Sequence, residues 1–231
     1  MQQLPLDIEI KADATFSNFV TGGDDNAQLV SMLQQVAGGE PEFVYLYGEP
    51  GTGRTHLLQA FTQCYSECQP QALVAYIPLD NMQLVPDMLE GLAGFDAVCI
   101  DGLERCLGDK AWETALFNLY NQLKEQNKTF IIAGKEAPQQ LEVKLADLKS
   151  RLSAMLIHAI QPLSDVDKRL LIQKKAEERG LELTEEVATF LLSRQQRDLP
   201  YLLGMLETLD QASLQAKRRL TIPFVKQVLE L

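Results

Sequence analysis

The sequence contains few of the residues that build metal centres and disulfide frameworks. Its 231 residues include two histidines and four irregularly spaced cysteines. These numbers argue against a zinc site and against a fold held together by disulfides. Cys64 and Cys68 fall one helical turn apart, a spacing that is typical of reduced thiols on a helix.

Long hydrophobic runs are also missing. No stretch of 18 apolar residues occurs, and the N-terminus has no basic segment followed by an apolar one. Neither a membrane span nor an export signal is therefore expected. We expect a cytoplasmic protein that has no contact with a membrane.

Basic residues are scarce as well. There are 21 lysines and arginines against 32 aspartates and glutamates, and the formal net charge is −11. Such a surface repels DNA phosphates unless its basic residues are gathered in one patch. The cluster Lys217-Arg218-Arg219 lies near the end of a predicted helix, where cations favour the helix dipole. No DNA-reading helix-turn-helix is recognisable after residue 163, so direct DNA binding is disfavoured.

Residues 48 to 55 have the pattern of a phosphate loop. The apolar run 43–47 precedes them and the helix-forming stretch 56–61 follows, which is the required order of strand, loop and helix. Glycines let successive backbone N–H groups point at phosphates, and the helix N-terminus adds partial positive charge. The predicted nucleotide-binding residues in this loop and at the start of the helix are Gly48, Pro50, Gly51, Thr52, Gly53, Arg54, Thr55 and His56.

Arginine replaces the usual lysine of this loop. Arg54 retains the positive charge but presents a wide planar fork in place of a compact ammonium group. A γ-phosphate is therefore expected to fit badly, and a diphosphate is expected to fit better.

A second motif is an apolar strand that ends in a carboxylate. Residues 95–100 lead into Asp101, which lies 46 residues after Thr55. Thr55 and Asp101 are the residues expected to hold Mg²⁺, the aspartate through water. Gly102 follows, where a hydrolysing enzyme needs an acid to activate water, and Glu104 is expected to point elsewhere. Together the two motifs predict a domain that binds a nucleoside phosphate.

Strand-length apolar runs alternate with helical stretches in the first two thirds of the chain. The predicted strands are 43–47, 73–77, 97–100, 129–133 and 157–160. The predicted helices are 27–37, 55–69, 82–93, 110–126 and 143–152, and those after Pro162 are 165–179, 184–194, 199–217 and 223–229. This order predicts an α/β fold with a parallel sheet flanked by helices, followed by a small all-helical domain. The expected division is a tail at 1–12, a nucleotide-binding domain at 13–163 and a helical domain at 164–231.

Several segments resemble known families. The two nucleotide motifs and the helical end are similar to AAA+ modules with a helical lid. Residues 15–20 with Gly22 resemble the entry segment of the bacterial replication initiator DnaA, and residues 149–152 resemble its arginine-finger segment. The initiator's helicase-loading and DNA-binding domains have no counterpart in this sequence. With residues 221–226, the similarity extends over nearly the whole chain to the Hda family of DnaA-related regulators.

The resemblance implies a function and its partners. The family consists of adaptors that favour ADP and, when bound to the DNA-loaded sliding clamp, stimulate ATP hydrolysis by DnaA and prevent re-initiation. ADP or another nucleoside diphosphate is then the expected ligand, accompanied by Mg²⁺, and DNA is contacted only indirectly through the clamp. Homo-oligomerisation stays open.

The resemblance also assigns roles to individual residues. Arg151 is the expected arginine finger, donated in trans; the alternative is a surface arginine paired with Asp147. Pro200 falls where the second-sensor arginine aligns, and Arg197 is the candidate replacement. Lys135 lies in the first-sensor segment, which lacks the expected polar side chain unless Lys135 turns inward.

Two further segments are candidate contacts with partners. The tail residues expected to bind the clamp are Gln3, Leu4, Pro5 and Leu6, which resemble the short glutamine and leucine peptides that enter the clamp pocket. Phe117 and Asn121 share a helix face and are candidates for docking the partner, with core packing of Phe117 as the alternative.

Two functions therefore compete. The leading one is a regulatory adaptor with weak or no ATPase activity of its own. The alternative is an autonomous AAA+ ATPase that loads a helicase or a clamp, in which Glu104 and Arg197 supply the missing catalytic groups.

Overall fold

The structure is a computed structural model that describes residues 14–81, 83–193, 199–216 and 218–230. The described residues form two compact units that divide between Gln161 and Pro162. In the first unit, strands β1 to β5 are Phe43–Tyr47, Val74–Pro78, Ala97–Asp101, Thr129–Gly134 and Leu156–Ala159. Its helices α1 to α4 are Asp24–Ala37, Arg54–Cys68, Lys110–Glu125 and Ala146–Ser153.

The strands form one parallel sheet in the order β2-β3-β4-β1-β5. Strand β1 pairs with β4 on one side and with β5 on the other, and β3 pairs with β4. All the strands end at the same edge of the sheet because they are parallel. The loops after β1, β3 and β4 therefore lie at this edge, where ligands bind in sheets of this kind.

Both faces of the sheet are covered, as the side chains of β1 show. Phe43 and Tyr45 belong to a core cluster that includes residues of α3 and α4. Val44 and Leu46 point the other way, into a second cluster with residues of α1 and α2. This alternation explains the continuous apolar run of β1, since successive side chains enter different cores.

The helix predicted at 82–93 differs in the structure. A 3₁₀ helix covers Pro86–Gly94, and Met82 lies outside the described residues. Proline stands in its first turn, and Gly91 and Gly94 are poor helix formers. Leu89 and Leu92 are both buried, and their spacing of three residues matches the period of a 3₁₀ helix.

The second unit is all-helical. Helices α5 to α8 are Asp165–Glu178, Glu185–Leu192, Leu199–Ala216 and Ile222–Leu229. Ser164 and Thr184 cap α5 and α6 by accepting backbone N–H bonds, as their positions before acidic residues indicate. The unit has its own apolar core, which includes Ile172, Leu191, Leu206, Leu209 and Val225.

This architecture confirms the predicted fold class of a parallel α/β sheet followed by a small helical domain. Within the described ranges, no helix is both long enough and apolar enough to cross a membrane.

Candidate nucleotide-binding site and surface arginine

The phosphate loop begins directly after β1, and its first residue is closely surrounded. A Cβ atom on Gly48 would lie 2.7 Å from Thr52 Oγ1 and 3.0 Å from the carbonyl oxygen of Ile160. Thr52 is buried, and its hydroxyl donates to the carbonyl oxygen of Glu49 at 2.9 Å. Only glycine at position 48 therefore permits this tight turn.

The loop ends at Gly53, where α2 begins. Gly53 has a φ of 97°, and a Cβ there would lie 2.6 Å from Cε2 of Phe19. No side chain caps the first turn of α2 at this position. The backbone N–H groups of that turn are consequently available to an anion, in the arrangement that phosphate loops use.

Thr55 and Asp101, which belong to separate sequence motifs, meet in the structure. Thr55 Oγ1 donates to Asp101 Oδ2 at 2.6 Å, and the hydroxyl of Tyr76 donates to the same oxygen at 3.0 Å. Asp101 is buried, and burial raises the pKa of its carboxyl group, although the two hydrogen bonds oppose this shift. Burial and the nearby Asp101 charge raise the pKa of Tyr76 as well. A cation at this site would compensate for the desolvation of the Asp101 carboxylate.

Glu104 contacts the arginine of the phosphate loop. Arg54 Nη1 donates to Glu104 Oε1 at 3.0 Å, and the backbone N–H of Lys135 donates to Glu104 Oε2 at 3.1 Å. The expectation that Glu104 points elsewhere is wrong. Gly102, with a φ of 75°, starts a 3₁₀ turn over Leu103–Arg105 that directs Glu104 back toward the loop. Lys135 contributes its backbone here, and its side chain is exposed.

His56 connects the entry segment to α2. Its Nε2 lies 2.8 Å from the carbonyl oxygen of Thr15, and its ring lies 5.6 Å from that of Phe19, centroid to centroid. Thr15 also caps the 3₁₀ turn Phe16–Asn18. The segment before α1 is thereby held against the start of α2, next to the phosphate loop.

Arg151 lies on α4 and is exposed. Its guanidinium group sits over the ring of Tyr120 on α3, with Cζ 5.7 Å from the ring centroid. Within the described part of the chain Arg151 forms no ion pair, so the alternative of a pair with Asp147 is not observed. The positive charge therefore remains available at the surface of the first unit.

A buried glutamate anchors the start of α4. Glu113 of α3 is fully buried and accepts backbone N–H bonds from Gly108, Lys144 and Leu145 at 2.8, 3.2 and 2.7 Å. Leu145 is the N-cap residue of α4 and offers no side-chain cap of its own. Glu113 thus replaces a local cap and fixes the helix that carries Arg151.

Comparison with known families identifies the chain. Residues 10–159 match the family described as the bacterial DnaA ATPase domain, which is more than half of the sequence. The chain belongs to the bacterial DnaA ATPase family. Residues 165–229 match the family described as the Hda lid domain. The predicted relation to Hda and DnaA is confirmed.

Solved structures show the same fold. Domain III of the Thermotoga maritima replication initiation protein DnaA superposes with a TM-score of 0.84 at 24% identity, over 96% of this chain and 98% of that one. AMPPCP-bound DnaA from Aquifex aeolicus has a TM-score of 0.73 at 22% identity, over 88% and 67%. The Thermotoga maritima RuvB Holliday junction branch migration motor has a TM-score of 0.68 at 17% identity, over 90% and 69%. The fold of this DnaA-family chain is therefore that of AAA+ modules.

The residues at the phosphate loop fit a magnesium ion. Mg²⁺ in phosphate-loop proteins is held by the loop hydroxyl and one carboxylate together with substrate phosphates. Thr55 and Asp101 supply such a pair, and their oxygens are 2.6 Å apart. The described residues contain no cluster of three or more histidine, cysteine, aspartate or glutamate side chains that could hold a metal by themselves. Mg²⁺ would therefore depend on the phosphates for its remaining ligands.

The candidate docking residues lie on α3. Phe117 is half-buried and packs against the core cluster that contains Leu116 and Leu119, as does Trp112. Core packing therefore accounts for Phe117. Asn121 is also partly buried.

Some predicted site residues lie outside the described part of the chain. These are Gln3, Leu4, Pro5 and Leu6 of the tail at 1–12, and Arg197. The side chain of Pro200 is likewise not described.

Sequence reasoning missed Phe19, Tyr76 and Glu113. Tyr76 lies on β2, the neighbour of β3, so its contact with Asp101 depends on the strand order. The pattern of α3 indicated the burial of Glu113 only weakly: Glu113 is an acidic residue on the same helix face as the apolar Leu116 and Tyr120. Nothing in the sequence indicated that the ring of Phe19 lies against Gly53.

Proposed function

We propose that this DnaA-family chain is a nucleotide-bound AAA+ adaptor that stimulates ATP hydrolysis by the replication initiator DnaA and so prevents re-initiation. The sliding clamp, loaded on DNA, is the proposed second partner. The observation that carries the proposal is the state of Arg151, which is exposed, without an ion pair in the described residues, and held on an anchored helix. These are the properties that an arginine finger donated to another protein needs.

The chemistry of hydrolysis supports this role for Arg151. The transition state of phosphoryl transfer places negative charge on the γ-phosphate oxygens, and an arginine from a second protein stabilises that charge. A guanidinium group already positioned and charged does not need to reorganise during the reaction. The contact with Tyr120 orients the group without neutralising it.

The chain's own site supports nucleotide binding with little hydrolysis. The phosphate loop, Thr55 and Asp101 provide contacts for ADP or another nucleoside diphosphate with Mg²⁺. Gly102, which follows Asp101, has no side chain to orient an attacking water. AMPPCP is bound by DnaA of Aquifex aeolicus, a protein of the same fold.

The charge of the chain supports an indirect relation to DNA. The net charge is −11. In the basic cluster at 217–219, Arg219 pairs with Glu182 at 3.6 Å, and the guanidinium group of Arg218 lies over the ring of Phe224, 5.6 Å from its centroid. Both described members of the cluster therefore have partners within the helical unit, and we assign the contact with DNA to the clamp.

The alternative of an autonomous ATPase that loads a helicase or clamp depends on Glu104. Both oxygens of Glu104 accept hydrogen bonds, from Arg54 and from the backbone of Lys135. While Arg54 and Lys135 hold both oxygens, this acid is not free to activate water. The geometry therefore favours the adaptor over the loader.

The decisive experiment measures ATP turnover by ATP-loaded DnaA with this chain, with DNA-loaded clamp, and with both. The proposal expects fast hydrolysis only when both are present, and little turnover by this chain alone. Turnover by this chain alone at ordinary enzyme rates of ~1–100 s⁻¹ would favour the loader. Unchanged hydrolysis by DnaA in the complete mixture would contradict the adaptor.

A further inference from the structure

Glu104 connects three parts of the nucleotide site. One carboxylate oxygen accepts from Arg54 at the start of α2, and the other accepts from the N–H of Lys135 just after β4. Glu104 itself follows β3 in the 3₁₀ turn Leu103–Arg105. A single side chain therefore ties the phosphate loop to the ends of two neighbouring strands.

The position of Arg54 relates this contact to the nucleotide. In a phosphate loop, the cation that precedes the serine or threonine reaches the β- and γ-phosphates. Arg54 occupies that place, so its carboxylate partner lies beside the distal end of a bound phosphate chain. To bind Arg54, a γ-phosphate would have to break the ion pair between Arg54 and Glu104. It would also place negative charge next to the carboxylate of Glu104, and the two charges repel each other.

We infer that Glu104 is a specificity-determining residue that selects nucleoside diphosphate against triphosphate by keeping the Arg54 guanidinium paired. Glu104 acts through Arg54 and is in that sense a positioning residue. The inference rests on the proposed binding of nucleotide in this loop and names the side chain responsible for the selection.

Partial burial of Arg54 and anchoring of Glu104 make this pair effective. The Arg54 side chain is 14% exposed and the Glu104 side chain is 34% exposed, so solvent and salt screen the arginine less than a fully exposed one. The hydrogen bond from Lys135 holds the glutamate even if Arg54 leaves. The Glu104 carboxylate therefore stays in place when Arg54 moves. A γ-phosphate that contacts Arg54 would then lie next to the negative charge of Glu104, which disfavours its binding.

The test compares ADP and ATP binding to the full chain with either glutamate or glutamine at position 104. Glu104→Gln preserves the shape of the side chain and an oxygen that can accept from Lys135, but it removes the charge. Dissociation constants for both nucleotides are measured by calorimetry with Mg²⁺ present. We expect the ratio of the ATP to the ADP dissociation constant to fall about tenfold, mainly through tighter binding of ATP.

Glu125→Gln is the control. Glu125 ends α3 outside the phosphate loop, is exposed, and forms no ion pair within the described residues. The control removes the same charge without touching Arg54, so the ratio should stay near that of the parent.

The outcomes separate this inference from the proposed function. An unchanged ratio in Glu104→Gln, while the parent binds nucleotide, overturns the role of Glu104 and leaves the adaptor standing. An equal loss of affinity for both nucleotides also overturns it, since that is the effect of a merely structural contact. A parent chain that binds neither nucleotide would refute nucleotide binding itself, and the inference with it.

Discussion

The guanidinium group of Arg151 lies over the aromatic ring of Tyr120, with Cζ 5.7 Å from the ring centroid. Tyr120 is buried, and its ring makes edge-on contacts with Phe43 and Phe130 in the core beneath the sheet. The ring is therefore a rigid support for a flexible side chain. An aromatic face holds a cation without supplying a compensating negative charge, whereas a carboxylate partner supplies one.

Arg151→Ala should fold and bind ADP as the parent does but should fail to stimulate hydrolysis by DnaA. Arg151→Lys should fail too, because an ammonium group does not reproduce the planar fork. Arginine fingers accelerate hydrolysis by ~10³–10⁵, so the loss is measurable as phosphate release under single-turnover conditions. Arg219→Ala, which removes an exposed arginine from the helical unit, is the control. Full stimulation by Arg151→Ala would mean that regulation works by sequestration of DnaA.

Variants of Tyr120 test whether its ring orients Arg151. Tyr120→Phe keeps the aromatic face and should stimulate DnaA as the parent does. Tyr120→Leu removes the face and should lower the maximal rate of stimulated hydrolysis, since cation–π contacts at exposed sites contribute ~0.5–1 kcal/mol, or about two- to fivefold. Titration of the chain into DnaA separates the maximal rate from the affinity. Equal losses in both variants would assign the effect to the hydroxyl group instead.

Nucleotide in the phosphate loop should stabilise the fold. A ligand at about 100 times its dissociation constant stabilises a protein by ~2.7 kcal/mol, so ADP with Mg²⁺ should raise the melting temperature by several degrees. Thr55→Ala should lose most of this increase, because it lacks the hydroxyl that meets Asp101. Thr55→Ser retains that hydroxyl and should behave as the parent does. Melting curves that coincide with and without ADP would contradict binding at this loop.

The buried carboxyl of Asp101 predicts a pH dependence of stability. Burial raises its pKa above the ordinary value of 3.8, so the folded chain holds this proton more tightly than the unfolded chain does. Ionisation of Asp101 as the pH rises through this range therefore lowers the free energy of unfolding. Without nucleotide and Mg²⁺, Asp101→Asn should be more stable than the parent at neutral pH and should lose this advantage as the pH falls toward 3.8.

Asp96 provides a control of opposite sign for the same denaturation series. Its pKa is lowered, chiefly by the hydrogen bond from Lys128 at 2.6 Å. Its contribution to stability is present above the unfolded pKa and is lost as the pH falls through the folded one. Asp96→Asn should therefore be less stable than the parent at neutral pH. If both variants shift stability in the same direction, the burial of Asp101 is not the cause.

The tail prediction concerns residues outside the described part of the chain. The double variant Leu4→Ala, Leu6→Ala should lose binding to the sliding clamp while it retains ADP binding and the parent's melting temperature. Surface plasmon resonance with immobilised clamp measures clamp binding. Thermal denaturation with and without ADP measures the melting temperature and the binding of ADP. The double variant Ile8→Ala, Ile10→Ala changes two apolar residues just beyond the motif and is the control. Undiminished clamp binding by the Leu4 and Leu6 variant would place the contact on another surface.

Features that depend on contiguous residues were predictable from the sequence. The apolar residues of β1, the glycines that follow and the first turn of α2 are adjacent in the chain, so their order alone indicated a phosphate loop. The alternation of strands and helices likewise predicted the parallel sheet and the helical second unit. Local steric and hydrophobic preferences determine these elements, and such preferences are properties of short segments.

The contacts that decide the chemistry depend on tertiary structure. Glu104 meets Arg54 from 50 positions away, and Tyr76 meets Asp101 from 25 positions away. These distances in the chain are bridged only because β3 lies between β2 and β4, and β4 lies between β3 and β1. Glu104 also depends on the left-handed turn at Gly102, which reverses the direction that its sequence position suggests. Sequence patterns thus determined which residues can bind a phosphate, whereas the order of the strands decided which partners each of them has.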